Sequence, residues 1–265
     1  MTLLDAVPAR GRIARANPVA KLLASLIIAV VLVLTVDAVS AATALVLELL
    51  VLPFAGLRVG DLVRRTAPIW IAAPLAGMTT VLYGRDSGAV LGQFLFVSVT
   101  EGSVALGAAI ALRVLAIGLP SVVLIATTDP TDLADGLAQI LRLPVRFVLG
   151  GLAGMRLVGL LTDDWRTLAM ARRARGVADG RGPIAALRSL GARSFSLLVL
   201  AIRRGSRLAT AMEAKGFGAD TPRSWARESR LGRFDVLLVL GGAVIAAAAV
   251  AVSVLTGAWS FVLHA

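Results

Sequence analysis

The sequence has no cysteine and only one histidine, His264, among its 265 residues. Disulfide bonds, thiol catalysis, zinc sites and iron–sulfur clusters therefore have almost no ligands to draw on, and we expect no bound metal. Charged residues make up only 16% of the chain, whereas hydrophobic residues make up 58% and the mean hydropathy is +0.86. This composition excludes a disordered chain and an ordinary soluble domain, and it predicts an integral membrane protein.

Five segments are nearly free of charge, and each is long enough for a helix to cross a bilayer. Four of them contain one charged residue each, namely Lys21 at the end of the first, Glu48, Arg113 and Asp235. The predicted spans cover residues 18–36, 38–57, 66–84, 102–128 and 234–259. A sixth uncharged run, 87–100, has only 14 residues, and this length favours a re-entrant or interfacial segment over a crossing.

The basic residues indicate the orientation of the chain. Lys and Arg number 27 against 16 Asp and Glu, which gives a net charge of +11. With five spans and a cytoplasmic N-terminus, 25 of the 27 basic residues lie on the cytoplasmic side, in segments 1–21, 58–65 and 129–233. The positive-inside rule favours this topology, which leaves the C-terminus outside. A signal peptide cleaved near residues 38–41 is a competing interpretation of the first span, but the next span begins immediately after it.

The segment 129–233 is too polar to form a bundle in lipid, and it keeps a helical period throughout. We predict a short in-plane helix that Asp129 caps and Pro144 ends, followed by two helices of about 30 residues each. The predicted organisation is a four-span membrane domain at 1–128, cytoplasmic helices at 129–233, and a last transmembrane helix with a short tail at 234–265.

The two long predicted helices end in the same way. At an offset of 40 residues, five of nine positions are identical, and the ends read Ala174-Arg175-Gly176 and Ala214-Lys215-Gly216. Glycine just past a helix adopts the left-handed conformation at little cost, and a cation there interacts favourably with the negative end of the helix dipole. An ordinary helix end would explain either triplet alone. Together they predict two equivalent docking sites on a dimeric or pseudo-dimeric soluble partner.

With these triplets, the chain resembles the transmembrane T component (EcfT, of the CbiQ and BioN type) of energy-coupling factor transporters, a branch of the ABC transporters. The hallmark of that family is a pair of Ala-Arg-Gly motifs at the tips of cytoplasmic coupling helices. The first triplet matches the motif fully, whereas Lys215 keeps the charge but lacks the planar fork of arginine. The other shared motifs are Asn17-Pro18, Lys21-Leu22-Leu23, Thr100-Glu101-Gly102, Arg113, Thr128-Asp129-Pro130, Asp132-Leu133 and Pro144.

The predicted fold is an all-α integral membrane protein with about five transmembrane helices and a cytoplasmic coupling domain of long amphipathic helices. The resemblance implies a non-catalytic subunit of a vitamin or trace-metal importer in a prokaryotic plasma membrane, with no cofactor of its own. It implies two cytoplasmic ABC ATPases and a small substrate-binding S component as partners, and it assigns the two triplets to ATPase coupling. Neighbouring basic residues such as Arg204 are predicted to be solvated or to contact anionic lipid, without nucleic acid.

Other side chains leave alternatives open. Glu48 and Arg113 lie at similar predicted depths in spans of the same direction, so we predict a structural ion pair, with a substrate or proton path as the alternative. A membrane-embedded Mg²⁺-dependent enzyme would use Asp129, Asp132 and Asp135, which recur every three residues at a membrane boundary. A stand-alone permease would need polar residues along a path, and the predicted spans have few.

Overall fold

The computed structural model describes residues 11–84, 87–94, 97–176, 182–217 and 224–260. These residues form eight α-helices, one β hairpin and a short 3-10 turn at Leu52–Ala55. The helices are α1 Pro18–Leu34, α2 Ala38–Val51, α3 Val59–Tyr83, α4 Glu101–Thr127, α5 Pro130–Gln139, α6 Val145–Ala174, α7 Pro183–Ala214 and α8 Arg233–Leu255. The strands are β1 Val90–Phe94 and β2 Val97–Thr100.

Six helical segments in the described ranges are long and apolar enough to cross a membrane. They are α2 with the 3-10 turn, α3, α4, α6, most of α7, and α8, and α1 is a shorter apolar helix. The prediction of an all-α integral membrane protein is therefore confirmed. Because α6 and α7 also meet the criterion of length and composition, their position on the cytoplasmic side stays a prediction.

The described part of the short uncharged run 87–100 is a β hairpin. Strands β1 and β2 pair antiparallel, with Val90 opposite Thr100 and Phe94 opposite Val97. The prediction that this run is not a transmembrane helix is confirmed. Thr100 then caps α4, because its side chain accepts a hydrogen bond from the Ser103 N–H at 3.2 Å and the Ser103 hydroxyl accepts one from the Thr100 N–H at 3.0 Å.

The chain divides into two compact units. The first comprises residues 1–136 and 229–265, and the second comprises residues 137–228. The first unit contains α1 to α4, α8 and most of α5, whereas α6 and α7 belong to the second. The three-segment division predicted from the sequence stays a prediction.

The core of the first unit lies where α1, α2, α4 and α8 meet, and half of its buried residues are alanine. Small residues also bring helices together elsewhere in this unit. A Cβ on Gly242 would lie 3.0 Å from Ala24, and a Cβ on Gly77 would lie 2.7 Å from the carbonyl oxygen of Gly107. Helices in membranes associate through such close backbone contacts, because lipid supplies no hydrophobic drive between them.

A larger side chain at Gly77 is expected to push α3 away from α4. We expect Gly77→Leu to lower the free energy of unfolding by about 1–3 kcal/mol, the usual cost of overpacking. Thermal unfolding of the purified chain in detergent measures this effect. The matched control is Gly60→Leu on the same helix, because a Cβ on Gly60 has no neighbour within 4 Å. Equal unfolding temperatures for the two variants would contradict the close α3–α4 contact.

Candidate functional site

The tip of α6 ends as the sequence predicts. The helix stops at Ala174, Arg175 has φ −90° and ψ 2°, and Gly176 has φ +69°. The Gly176 N–H donates to the carbonyl oxygen of Arg173 at 3.0 Å. Because a side chain is strained at such a positive φ, glycine is the residue that closes this helix cheaply.

The tip of α7 repeats this geometry. Gly216 has φ +75°, its N–H donates to Glu213 O at 2.9 Å, and the Phe217 N–H donates to Met212 O at 2.9 Å. This pair of bonds is a Schellman motif, which satisfies carbonyl groups at the end of the helix. The left-handed glycine predicted at each tip is confirmed.

Both tips are open surfaces. Arg175, Gly176, Lys215 and Gly216 are all exposed, and a Cβ on either glycine would have no neighbour within 4 Å. Neither Arg175 nor Lys215 forms an ion pair with any residue that the structure describes. Each tip therefore presents a cation, small flanking residues and exposed backbone to whatever approaches it.

An ion pair and a cation–π contact join α6 and α7 away from the tips. The guanidinium of Arg204 contacts the Asp164 carboxylate through both oxygens, with Nη1–Oδ2 at 2.9 Å and Nη2–Oδ1 at 3.2 Å. The guanidinium carbon of Arg193 lies 5.2 Å from the centre of the Trp165 ring. The pair with Asp164 holds the Arg204 guanidinium although the side chain stays 38% exposed, so the expectation that basic residues such as Arg204 are solvated or contact lipid stays a prediction.

Most apolar side chains of the second unit are not buried. On α6, Leu152 is buried but Met155 is exposed, and none of the α7 side chains that the structure describes is buried. The large exposed apolar side chains of α7 are Ile184, Leu187, Leu190, Phe195, Leu198, Val199, Ile202 and Leu208. An apolar surface of this extent is typical of a region that contacts lipid or another protein.

A polar cluster surrounds the start of α1 in the first unit. The Asn17 N–H donates to Asp235 Oδ1 at 2.7 Å, and the Gly232 N–H donates to Asp235 Oδ2 at 2.7 Å. The Asn17 side-chain amide donates to Ser229 Oγ at 2.9 Å and to Arg230 O at 3.2 Å. The segment that leads into α8 is thereby fastened to α1.

Lys21 extends this cluster to the end of α4. It is buried, and its ammonium donates to Ala14 O at 2.9 Å, Thr127 O at 3.0 Å, Thr127 Oγ1 at 3.2 Å and Thr128 Oγ1 at 3.4 Å. We call Asn17, Lys21, Thr127, Thr128, Ser229 and Asp235 the boundary cluster. It brings the motifs at Asn17 and Lys21 together with the motif at Thr128, which lies more than 100 residues farther along the sequence.

The predicted ion pair between Glu48 and Arg113 is not formed. Arg113 instead donates to the carbonyl oxygen of Thr35 and lies close enough to Asp37 for electrostatic attraction. Both carboxylate oxygens of Glu48 are buried without a hydrogen-bond partner among the described residues. The depth comparison failed because Arg113 lies beside the corner between α1 and α2, whereas Glu48 lies about 16 Å farther along α2 at 1.5 Å per residue.

Asp129, the first residue of the acidic triplet, caps the start of α5. Asp129 Oδ1 accepts a hydrogen bond from the Thr131 N–H at 2.7 Å, and Asp129 O accepts one from the Leu133 N–H at 3.0 Å. This is the N-cap predicted from the sequence. Within the described residues, no three His, Cys, Asp or Glu side chains are grouped so that they could hold a metal ion, and His264 lies outside those residues.

Comparison with known proteins places this multi-pass membrane protein in a family. The family model for CbiQ, a cobalt transport protein, matches residues 11–224, so the chain belongs to that family. One relative, the energy-coupling factor transporter transmembrane protein EcfT of Acidaminococcus fermentans, is 27% identical over 245 residues, which are 89% of this chain and 91% of the relative. Proteins of the same name match with 25% identity in Exiguobacterium sibiricum (88% of this chain and 92% of the relative) and 28% in Brevibacillus brevis (82% and 85%).

If the boundary cluster stabilises the fold, removing the Asp235 carboxylate should lower the free energy of unfolding. In Asp235→Ala, two backbone N–H groups, those of Asn17 and Gly232, lose their acceptor. We expect the free energy of unfolding to fall by about 1–3 kcal/mol, the usual cost of unsatisfied polar groups. Asp163→Ala is the control, because the Asp163 carboxylate is 73% exposed and its pair with Arg166 is solvated. Thermal unfolding in detergent that leaves the two variants indistinguishable would show that the cluster does not stabilise the fold.

Proposed function

We propose that this chain is the transmembrane energy-coupling component of an energy-coupling factor transporter, an ATP-driven importer. The observation that carries this proposal is the pair of long helices, 30 residues in α6 and 32 in α7, that both end in an exposed cation followed by a left-handed glycine. Membership of the CbiQ family and the names of the curated relatives support it. The chain would be non-catalytic, with ATP bound and hydrolysed by its partners.

Each tip would bind one of two cytoplasmic ABC ATPase subunits. Arg175 and Lys215 would enter acidic or carbonyl-rich grooves, since neither has a charged partner among the described residues of its own chain. Ala174 and Ala214 are small enough to permit a close approach. Because arginine donates in a planar fork and lysine does not, we expect the α6 tip to bind the more tightly.

The helices would pass the motion of the ATPases to a small membrane S component that captures the substrate. The exposed apolar side chains of α7 give a surface for such a partner. The pair between Asp164 and Arg204, with the stacking of Arg193 on Trp165, would make α6 and α7 move together. The S component would choose the substrate, which we expect to be a vitamin or a trace metal.

The proposed location is the plasma membrane of a prokaryote, with the N-terminus in the cytoplasm and the C-terminus outside. The concentration of basic residues in segments 1–21, 58–65 and 129–233 supports this orientation. Anionic lipid on the cytoplasmic face would attract the same residues.

Charge reversal at the tips tests the proposal. We expect Arg175→Glu with Lys215→Glu to lower the recovery of two ABC ATPases at least about tenfold, because a cation buried at an interface is costly to replace. The measurement is affinity purification of the tagged full-length chain from its native membrane, followed by mass spectrometry. The control is Arg188→Glu, an exposed arginine on α7 away from the tip.

Unchanged recovery of the ATPases from the double mutant would overturn the assignment of the tips. If no ATPase accompanies the wild-type chain, and the chain alone transports a solute into vesicles, the stand-alone permease is the correct function.

A second experiment tests the link between α6 and α7. We expect Asp164→Arg to reduce substrate uptake by the assembled transporter, because it places two arginines together, while ATPase subunits still bind the tips. Adding Arg204→Asp restores the attraction with reversed signs, so uptake is expected to recover. Uptake and ATPase recovery are measured for each variant in the same membranes. If the reversed pair gives no recovery, the ion pair does not act in coupling.

A further inference from the structure

The first unit contains a cavity of about 570 Å³, which lies between its helices near one of their ends. Residues near the starts of α1 and α8 and near the ends of α2 and α4 line it, so the cavity faces one leaflet of the membrane. Its wall is almost entirely apolar, with side chains such as Phe54, Leu119 and Leu237. The volume is within the range of about 300–1,000 Å³ that is usual for small-molecule sites.

Three ionisable side chains line this cavity, and their surroundings differ. Lys21 is fully engaged, because its ammonium already donates to oxygen atoms of Ala14, Thr127 and Thr128. Glu48 is only 5% exposed, and neither of its carboxylate oxygens has a hydrogen-bond partner. Arg12 is exposed and forms no ion pair within the described part of the chain.

Glu48 is the group that needs an explanation. A buried carboxyl without a donor is costly in a protein, and more so at membrane depth, where water is scarce. None of the described residues supplies such a donor, and a molecule in the cavity that carries N–H groups would satisfy the carboxyl. A molecule that fits would be apolar over most of its length, and it would offer N–H donors to Glu48 and an anionic group to Arg12.

We propose that the cavity binds a phospholipid with a phosphoethanolamine head group. Its acyl chain would contact Phe54 and Leu237, its phosphate would pair with Arg12, and its ammonium would donate to Glu48. This site lies in the first unit and is independent of the proposed coupling function. A glycerol head group would leave Glu48 without a cation, and a choline head group carries a cation without an N–H donor.

Gly241 provides a way to fill the cavity without disturbing the fold. It lines the cavity, and a Cβ at this position would have no neighbour within 4 Å. The adjacent Gly242 differs, because its Cβ would lie 3.0 Å from Ala24 in the α1–α8 contact. A leucine at position 241 is therefore expected to fill part of the cavity that the lipid would occupy, and to leave the packing of α8 against α1 intact.

The test is native mass spectrometry of the purified full-length chain, stripped of lipid and titrated with dioleoyl lipids. We expect the wild type to bind phosphatidylethanolamine about tenfold more tightly than phosphatidylglycerol or phosphatidylcholine. Glu48→Gln is expected to remove this preference, and Gly241→Leu to weaken the binding of all three lipids. The controls are Asp163→Asn, which also turns a carboxylate into an amide, and Gly60→Leu. Both lie away from the cavity, and both variants are expected to bind as the wild type does.

Equal affinities for the three lipids in the wild type, or a preference that persists in Glu48→Gln, would overturn the proposal. If Gly241→Leu instead releases a co-purifying membrane protein while lipid binding is unchanged, the cavity is part of a protein interface. Thermal unfolding identifies a variant that has lost its fold. If Glu48→Gln does so, the comparison of Gly241→Leu with Gly60→Leu still decides whether the lipid occupies this cavity.

Discussion

The need to satisfy backbone polar groups at the membrane boundary dominates the architecture of the first unit. Lys21 donates to the end of α4, and Asp235 accepts from the starts of both α1 and α8. Elsewhere α1 contacts α4 and α8 mainly through alanine, glycine and aliphatic side chains, which fix no particular register. The boundary cluster supplies directional bonds that such packing lacks, so it determines which helix ends meet.

Periodicity and chain chemistry predicted much of this fold. Charge-free length identified α2, α3, α4 and α8, and the N-cap at Asp129 and the glycine at each tip fixed the ends of α5, α6 and α7. These features depend on neighbours within a few residues, so a sequence displays them directly. The short run 87–100 was excluded as a span by length alone, yet its pairing as a hairpin depends on a register that length does not reveal.

Contacts between distant residues were predicted less well. Counting residues from the start of each span placed Glu48 and Arg113 at one depth, but α2 and α4 begin at different levels, and Arg113 meets Thr35 instead. The pair between Asp164 and Arg204 was missed, although the two residues are separated by the same offset of 40 that relates the tips. That offset is the signal that was available, because it places both residues ten positions before the alanine at which their helix ends.

The two tips show why charge and backbone conformation have to be considered together. A lysine replaces arginine in the second triplet, yet Gly176 and Gly216 have nearly the same φ, +69° and +75°. Glycine therefore fixes how each helix ends, whereas the preceding cation sets the charge that this end presents. A substitution at the cation changes the strength of binding and keeps the shape, whereas a side chain at the glycine strains the turn itself. In the proposed docking of both tips, the cation can therefore differ between them, as Arg175 and Lys215 do, while the two glycines keep the same turn.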